Sequence, residues 1–332
     1  DDLLRRHGSE VHGIPIRGGT ESIPALAASL EIDLILLAIP SASASEMQRL
    51  VTLCERAGLP FRTVPQLGNL RNGQVSISQV RPVSIEDLLG RDPVALDWEG
   101  IRRGLRGRRI LVTGGGGSIG SELCRQIAHA GPARLVVADN GEYNLYCIDM
   151  ELRQAHPDLD IGGRLVDVTD GEAVAGLFAA ERPEILFHAA AYKHVPLLEN
   201  QVHAAVRNNV LGTRILAIAA DHWGIDQFIL ISTDKAVNPA NVMGATKRVA
   251  ERLCQALDAR SKTRYTAVRF GNVLGSAGSV VPLFRRQLEQ GGPLTLTHPD
   301  MERFFMTIPE ACQLIMQAAA IGRGGEIFVL DM

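Results

Sequence analysis

Cysteine is sparse and unpatterned in this chain of 332 residues. Cys54, Cys124, Cys147, Cys254 and Cys312 fall in five separate segments, with no C-x-x-C pair and no histidine at metal-ligand spacing. That argues against a disulfide framework and a zinc site, and predicts reduced core thiols in a cytosolic protein. Long apolar runs are missing as well. The longest, Ile32 to Pro40, is about half of what a transmembrane helix requires and reads as a buried strand. Excess charge is absent: the formal net charge is -3, and the basic residues are scattered without aromatic interleaving, so nothing marks a nucleic-acid surface. There is no signal peptide and no initiator methionine, and the chain opens at Asp1 inside what reads as a domain.

What is present is alternation. Between Val11 and Val64 the pattern predicts a short strand at Gly13 to Ile16, a helix at Ser22 to Leu30, a strand at Leu34 to Ile39, a helix at Ser45 to Ala57 and a strand at Pro60 to Val64. Ser45 and Gln48 have capping-box spacing. This part, residues 1–66, reads as a partial Rossmann-like segment without a glycine fingerprint. Residues 67–107 read as a connector, with turn signals at Gly68, Asn69 and Asn72-Gly73, an exposed strand at Val75 to Val80, and an arginine-rich, solvated helix end at Arg102 to Arg109.

A stronger alternation begins at Arg109. Strands are predicted at Ile110 to Val112, Leu135 to Ala138, Gly163 to Val168, Ile185 to His188, Phe228 to Ile231 and Thr266 to Phe270. The helices between them are Ser118 to Ala130, Tyr143 to Ala155, Ala173 to Ala180 and a long one from Val202 to Trp223, with a capping box at Thr169 and Glu172. Such alternation makes a doubly wound α/β fold around a parallel sheet with right-handed crossovers.

Thr113 to Gly120, TGGGGSIG, follows a strand and opens a helix, the context in which a glycine pattern is strong evidence for a dinucleotide. Gly114, Gly117 and Gly120 let the backbone approach a pyrophosphate, and Ser118 and Ile119 begin the helix whose amides would face it. Asp139, ending the next strand, suits an adenosine ribose and favours NAD; NADP stays open because Arg134 or another cation would compensate. Asp167, beside Val168, either binds the adenine amine or caps a helix. His188 to Lys193, HAAAYK, offers Ala189 and Ala190 as small residues against the nicotinamide half, with His188 read as a core histidine and Lys193 facing either substrate or solvent.

Ser232 to Lys247, STDKAVNPANVMGATK, follows a buried strand. Thr233, Asp234 and Lys235 set a hydroxyl, a carboxyl and an amine side by side at its end, and Met243 and Lys247 share one face of the next helix. With the glycine loop, HAAAYKHVP, NNVLGT and VRFGNVLGSAGSVVP, this stretch resembles the extended short-chain dehydrogenase/reductases that act on nucleotide sugars. More narrowly, it resembles the membrane-anchored, CapD-like UDP-N-acetylglucosamine 4,6-dehydratases of bacterial capsule, O-antigen and protein-glycan synthesis. The resemblance runs from about Asp33 to the end. It implies a portion of a longer protein, lacking a membrane anchor and the last part of the sugar-binding region, that works at the cytoplasmic face of the inner membrane, with possible self-association.

The resemblance also implies a division of labour. Carbon 4 of the hexose is oxidised by hydride transfer to NAD, Lys235 removes the proton on carbon 5, Asp234 protonates the hydroxyl leaving carbon 6, and the hydride returns to carbon 6. Neutral Lys235 and protonated Asp234 call for dry surroundings. Lys247 binds the nicotinamide ribose. Met243 replaces the usual tyrosine and carries no transferable proton, so the base for the first oxidation is Thr233, a relayed water or Asp234 acting twice. Asn272, Ser279, Val280 and Arg303 are implied at the nucleotide diphosphate, where an arginine fork suits phosphate. A nucleotide-sugar 4-epimerase and a non-catalytic NAD-binding module are the alternatives.

Overall fold

The structure, a computed structural model, describes residues 6–39, 41–64, 81–83, 94, 96–276, 278–296 and 298–332. The chain divides into two compact units, Asp1–Val94 and Ala95–Met332. In the first, β1 (Glu10–Val11) and β2 (Ile14–Pro15) form a small antiparallel pair. They are followed by α1 (Ile23–Ser29), β3 (Ile35–Leu37), α2 (Ala44–Ala57), β4 (Phe61–Thr63) and β5 (Arg81–Pro82). β3 and β4 are parallel, and β5 joins β4 antiparallel.

Helix α2 places Met47, Leu50, Val51 and Cys54 on one stripe, and these pack on Ile35, Leu37 and Phe61. Only one face of β3 is covered this way, so Leu36 is 49% exposed, and the run Ile32 to Pro40 is not the buried strand that its composition predicts. The capping box of α2 is formed by Ser43 and Glu46, not by Ser45 and Gln48, because Ser45 already lies in the first helical turn. The turn signals at 68–73 and the strand expected at 75–80 lie outside the described residues.

The second unit opens with α3 (Trp98–Leu105), whose Ile101 and Leu105 belong to the main core, so the ordered packing of this unit reaches back into the stretch read as connector. Then come β6 (Arg109–Thr113), α4 (Ser118–His129), β7 (Arg134–Asp139), α5 (Glu142–Ala155), β8 (Ile161–Leu165), α6 (Gly171–Glu181) and β9 (Ile185–His188). The predicted helix from Val202 to Trp223 is present with an irregular middle. After α7 (Val195–Glu199), α8 (Val202–Ala205) passes through a π-helical segment, Val206–Gly212, into α9 (Thr213–Trp223). The chain continues through β10 (Gln227–Ile231), a 3-10 turn (Asp234–Ala236), α10 (Val242–Asp258), β11 (Arg264–Arg269), β12 (Asn272–Val273), α11 (Val280–Glu289), β13 (Phe305–Met306), α12 (Ile308–Ile321) and β14 (Ile327–Val329).

Seven strands form one parallel sheet in the order β14-β11-β10-β9-β6-β7-β8. Helices cover both faces, and the strand residues alternate between two cores. Ile110, Val112, Leu135, Val137, Ile185 and Phe187 face one; Leu111, Val136, Leu186, Phe228 and Leu230 face the other. The chain direction across the sheet reverses between β6 and β9, where Thr113 lies beside His188. Ligands of such sheets bind outside that crevice. Four cysteines are buried; Cys147, on α5, is exposed rather than core. Among the described residues no helix is long and apolar enough to cross a membrane.

Candidate active site

The glycine loop lies at the β6–β9 crevice. Gly114 has φ +70, and a Cβ there would stand 2.5 Å from the Ala190 backbone nitrogen; a Cβ on Gly120 would stand 2.0 Å from the Gly114 oxygen. Only bare backbone fits between these chain segments. Gly117 is the N-cap of helix α4 and puts no side chain over its first amides, so the residues present suit a pyrophosphate. Asp139 Oδ2 accepts from the Gly116 amide (2.9 Å) and Oδ1 from the Gly141 amide (2.8 Å), which leaves carboxylate lone pairs for a ribose hydroxyl.

Arg134 does not serve as the cation for a second phosphate. It opens β7 while Asp139 closes it, about 16 Å away at about 3.3 Å per residue, and it is bonded to Glu181 (2.7 Å) and Asp160. Asp167 Oδ1 accepts from the Thr169 amide (2.8 Å), and Asp167 is not among the residues lining either cavity described below. Helix α6 is capped by Asp170, which accepts from the Glu172 and Ala173 amides, and not by Thr169.

A cavity of about 880 Å³ runs from the glycine loop to α11. Gly114, Gly117, Ser118, Ile119 and Gly120 line one end, and Asn272, Ser279, Val280 and Arg303 the other. Ala189, Lys193, Thr233, Lys235, Met243 and Lys247 lie between. A smaller recess of about 180 Å³ adjoins it, lined by Asp139, Val168, Ala189 and Ala190 among others. His188 is fully buried; its ring bonds Thr113 Oγ1 (2.8 Å) and Thr213 Oγ1 (2.9 Å). Thr213 spends its hydroxyl proton on the Asn209 carbonyl, so His188 donates through Nε2 and accepts at Nδ1. Burial, with Lys247 adding to it, pushes the His188 pKa down to about 3.

At the end of β10, Thr233 caps the 3-10 turn. Its Oγ1 donates to Asp234 Oδ1 (2.8 Å), and that oxygen also accepts from Lys235 Nζ (2.9 Å). Lys235 Nζ donates further to Asn272 Oδ1 (3.3 Å). The expected dryness is not a property of this pair: the Lys235 and Asp234 side chains are 27% and 40% exposed. Asp234 meets the cavity through its hydrogen bonds to Thr233 and Lys235, not as a wall residue.

Helix α10 begins at Asn241, whose side chain accepts from the Gly244 amide. Met243 packs with Leu198 and Ala205. Lys247, one turn on, donates from Nζ to the Ile231 carbonyl (2.8 Å), and burial lowers its pKa to about 8. Lys193 is largely open to solvent, but partial desolvation of its ammonium lowers its pKa too. Arg303 Nη1 donates to the Glu302 carbonyl, and Ser279 Oγ, at the start of α11, is buried without a hydrogen-bond partner.

Two residues escaped the sequence reading. Asn209, in the π segment, clamps Tyr192 through both its backbone N–H and C=O and bonds Thr246 on α10; its only signal was the NNVLGT motif. Glu251 resembles a solvated helix residue between Arg248 and Arg252, but its side chain is fully buried.

The family model described as "Polysaccharide biosynthesis protein" matches residues 110–332. The probable polysaccharide biosynthesis protein EpsC of Bacillus subtilis is 47% identical over 333 residues, covering 100% of this chain and 56% of that protein. The capsular polysaccharide biosynthesis protein CapD of Staphylococcus aureus is 44% identical, also over 100% and 56%. The chain thus spans little more than half the length of these relatives. Among solved structures, DesIV, a dTDP-glucose 4,6-dehydratase from Streptomyces venezuelae with NAD bound, superposes with a TM-score of 0.59 at 25% identity, over 67% of this chain and 74% of that one. On the matched sequence, the seven-stranded parallel sheet and the glycine loop at its switch point, the chain belongs to the polysaccharide biosynthesis protein family, as a CapD-like member with an extended short-chain dehydrogenase/reductase fold.

Proposed function

We propose that the chain is the catalytic region of a UDP-N-acetylglucosamine 4,6-dehydratase that uses NAD and makes UDP-2-acetamido-2,6-dideoxy-4-keto-hexose for a bacterial surface glycan. The observation that carries the reading is the hydrogen-bonded series Thr233, Asp234, Lys235, whose Thr233 and Lys235 line one cavity between a dinucleotide loop and the α11 end. Gly114, Gly117, Ser118 and Asp139 would hold NAD, which would supply a reversible hydride acceptor for the carbon 4 and carbon 6 steps. The chain's own residues handle the protons.

In this reading the cycle starts once Lys235 has given up a proton, with Asp234 ionised. The proton of the carbon 4 hydroxyl passes through Thr233 Oγ1 to Asp234, along the 2.8 Å bond already in place. Lys235 takes the proton from carbon 5, and Asp234 gives its own to the hydroxyl leaving carbon 6 as water. The pair is then ammonium and carboxylate, the 2.9 Å ion pair of this structure. Lys235 returns its proton to carbon 5 as carbon 6 is reduced, and the starting state is restored. Met243 needs no proton in this cycle. Asn272, Ser279 and Arg303 would hold the diphosphate, with the unpartnered Ser279 hydroxyl supporting that placement.

Turnover of UDP-N-acetylglucosamine in deuterated water tests the reading. Product NMR should show a 4-keto-6-deoxy sugar carrying solvent deuterium on carbon 5. A 4-epimer without deuterium there would identify an epimerase, and cofactor binding without turnover in the full-length protein would identify a non-catalytic module.

A further inference from the structure

Helix α10 grips the end of β10 twice. Lys247 Nζ reaches the Ile231 carbonyl at 2.8 Å, and Glu251 Oε1, one turn on, accepts from Ser232 Oγ at 2.6 Å. The buried Glu251 carboxylate also receives Arg269 through Nε (2.7 Å) and Nη2 (2.6 Å), a fork-to-fork pair, and more distantly Arg248 Nη1 (3.4 Å). Arg269 ends β11, and its side chain is 9% exposed. The Ser232 amide donates to the Val268 carbonyl at 2.7 Å, so the ends of two strands and the helix that carries Lys247 meet at this ion pair. Ser232 gives its hydroxyl proton to Glu251, which leaves Thr233 as the hydroxyl available for proton transfer.

We propose that Glu251 and Arg269 are positioning residues: as a buried ion pair they seat the Lys247 ammonium at the end of β10 and set how readily it keeps its charge. The other groups facing Lys247 supply no net charge. Cys254, further along α10, has its thiol pushed up by burial to about 12. His188, from β9, is held neutral by burial. Asp234 and Lys235, past the strand end, are paired with each other. Cys254 and Glu251 both counter the desolvation of Lys247; with the Cys254 thiol uncharged near neutral pH, Glu251 is the anion that does so there, and Arg269 is bonded to Glu251. The two partners therefore pull Lys247 in opposite directions. The importance of that balance for the cofactor rests on the role given to Lys247 above, but the test reads the ammonium itself, so failure of one is distinguishable from failure of the other.

The chain has four lysines, Lys193, Lys235, Lys247 and Lys262. Lysine labelled with ¹³C and ¹⁵N thus gives four side-chain signals, and Lys247→Arg assigns its own by disappearance. Titrated in the intact chain, Glu251→Gln should lower the Lys247 midpoint by about one pH unit and Arg269→Gln should raise it by about as much. The double variant should return to within about 0.3 of the starting value. Each single change breaks the same ion pair, so a purely structural role predicts instability in both without opposite shifts. Shifts of one sign, an unmoved midpoint in whichever single variant folds, or a double variant displaced by a full unit would overturn the proposal.

Discussion

Thr233 Oγ1 donates at 2.8 Å to the carboxylate proposed to carry protons at two stages of the reaction. Replacing it with valine keeps the shape and removes the relay. Thr233→Val should lower kcat by about 100-fold or more and leave KM for the nucleotide sugar nearly unchanged, which steady-state kinetics would show. Lys247 makes a different prediction. Its folded pKa, about 8, lies below the ordinary lysine value, so below pH 8 the fold holds a charge that the unfolded chain solvates better. The sign follows: stability is penalised at pH 7 and the penalty fades between about pH 8 and 10.4, where the unfolded chain binds more protons. Lys247→Met should therefore raise stability at pH 7 by up to about 3 kcal/mol, less about 1 kcal/mol for the lost bond to Ile231. Thermal unfolding at pH 7 and pH 10 checks it; equal effects at both would contradict the argument.

At the scale of elements, His188 ties β6, β9 and α9 together through Thr113 and Thr213. Its folded pKa is depressed to about 3, so it contributes stability that is present above about pH 6.5 and lost as the pH falls toward 3. His188→Gln should cost about 1–3 kcal/mol at pH 7 and flatten the acid limb over that window, as denaturant midpoints at several pH values would reveal. The doubly wound sheet was legible because both its faces are covered and the strands stand out as apolar runs between turn residues. The π segment was not, since one widened turn displaces the apolar pattern by only about one residue. The pairing of β12 with β13 joins two-residue strands far apart in sequence, too little pattern for any window. In α2, Ser43–Glu46 and Ser45–Gln48 fit the same spacing, and only the backbone tells which serine precedes the helix. Glu251 was hidden for another reason: its burial depends on Arg269 arriving from another strand, which helix periodicity does not register.

For the whole molecule, among the described residues the two main cores of the second unit draw on residues 96–332, and that of the first on residues 35–83. Each unit has its own apolar interior, the requirement for folding alone. A chain beginning at Ala95 should keep one cooperative thermal transition and its affinity for NAD, measured by calorimetry; loss of both would show that the second unit does not stand by itself.

Three of the four lysines line the large cavity, whereas of the thirty arginines Arg303 alone is among its described lining residues. Guanidinium groups do not react as amines do at neutral pH, because they stay protonated. Among the lysines of this sequence, reagents that form imines or amides with neutral amines therefore meet a single target outside this site, Lys262. Burial of Lys247 and partial desolvation of Lys193 favour their uncharged, nucleophilic forms. Within this sequence most lysine amines lie in one place, and a covalent amine probe becomes a footprint of whether that place is filled.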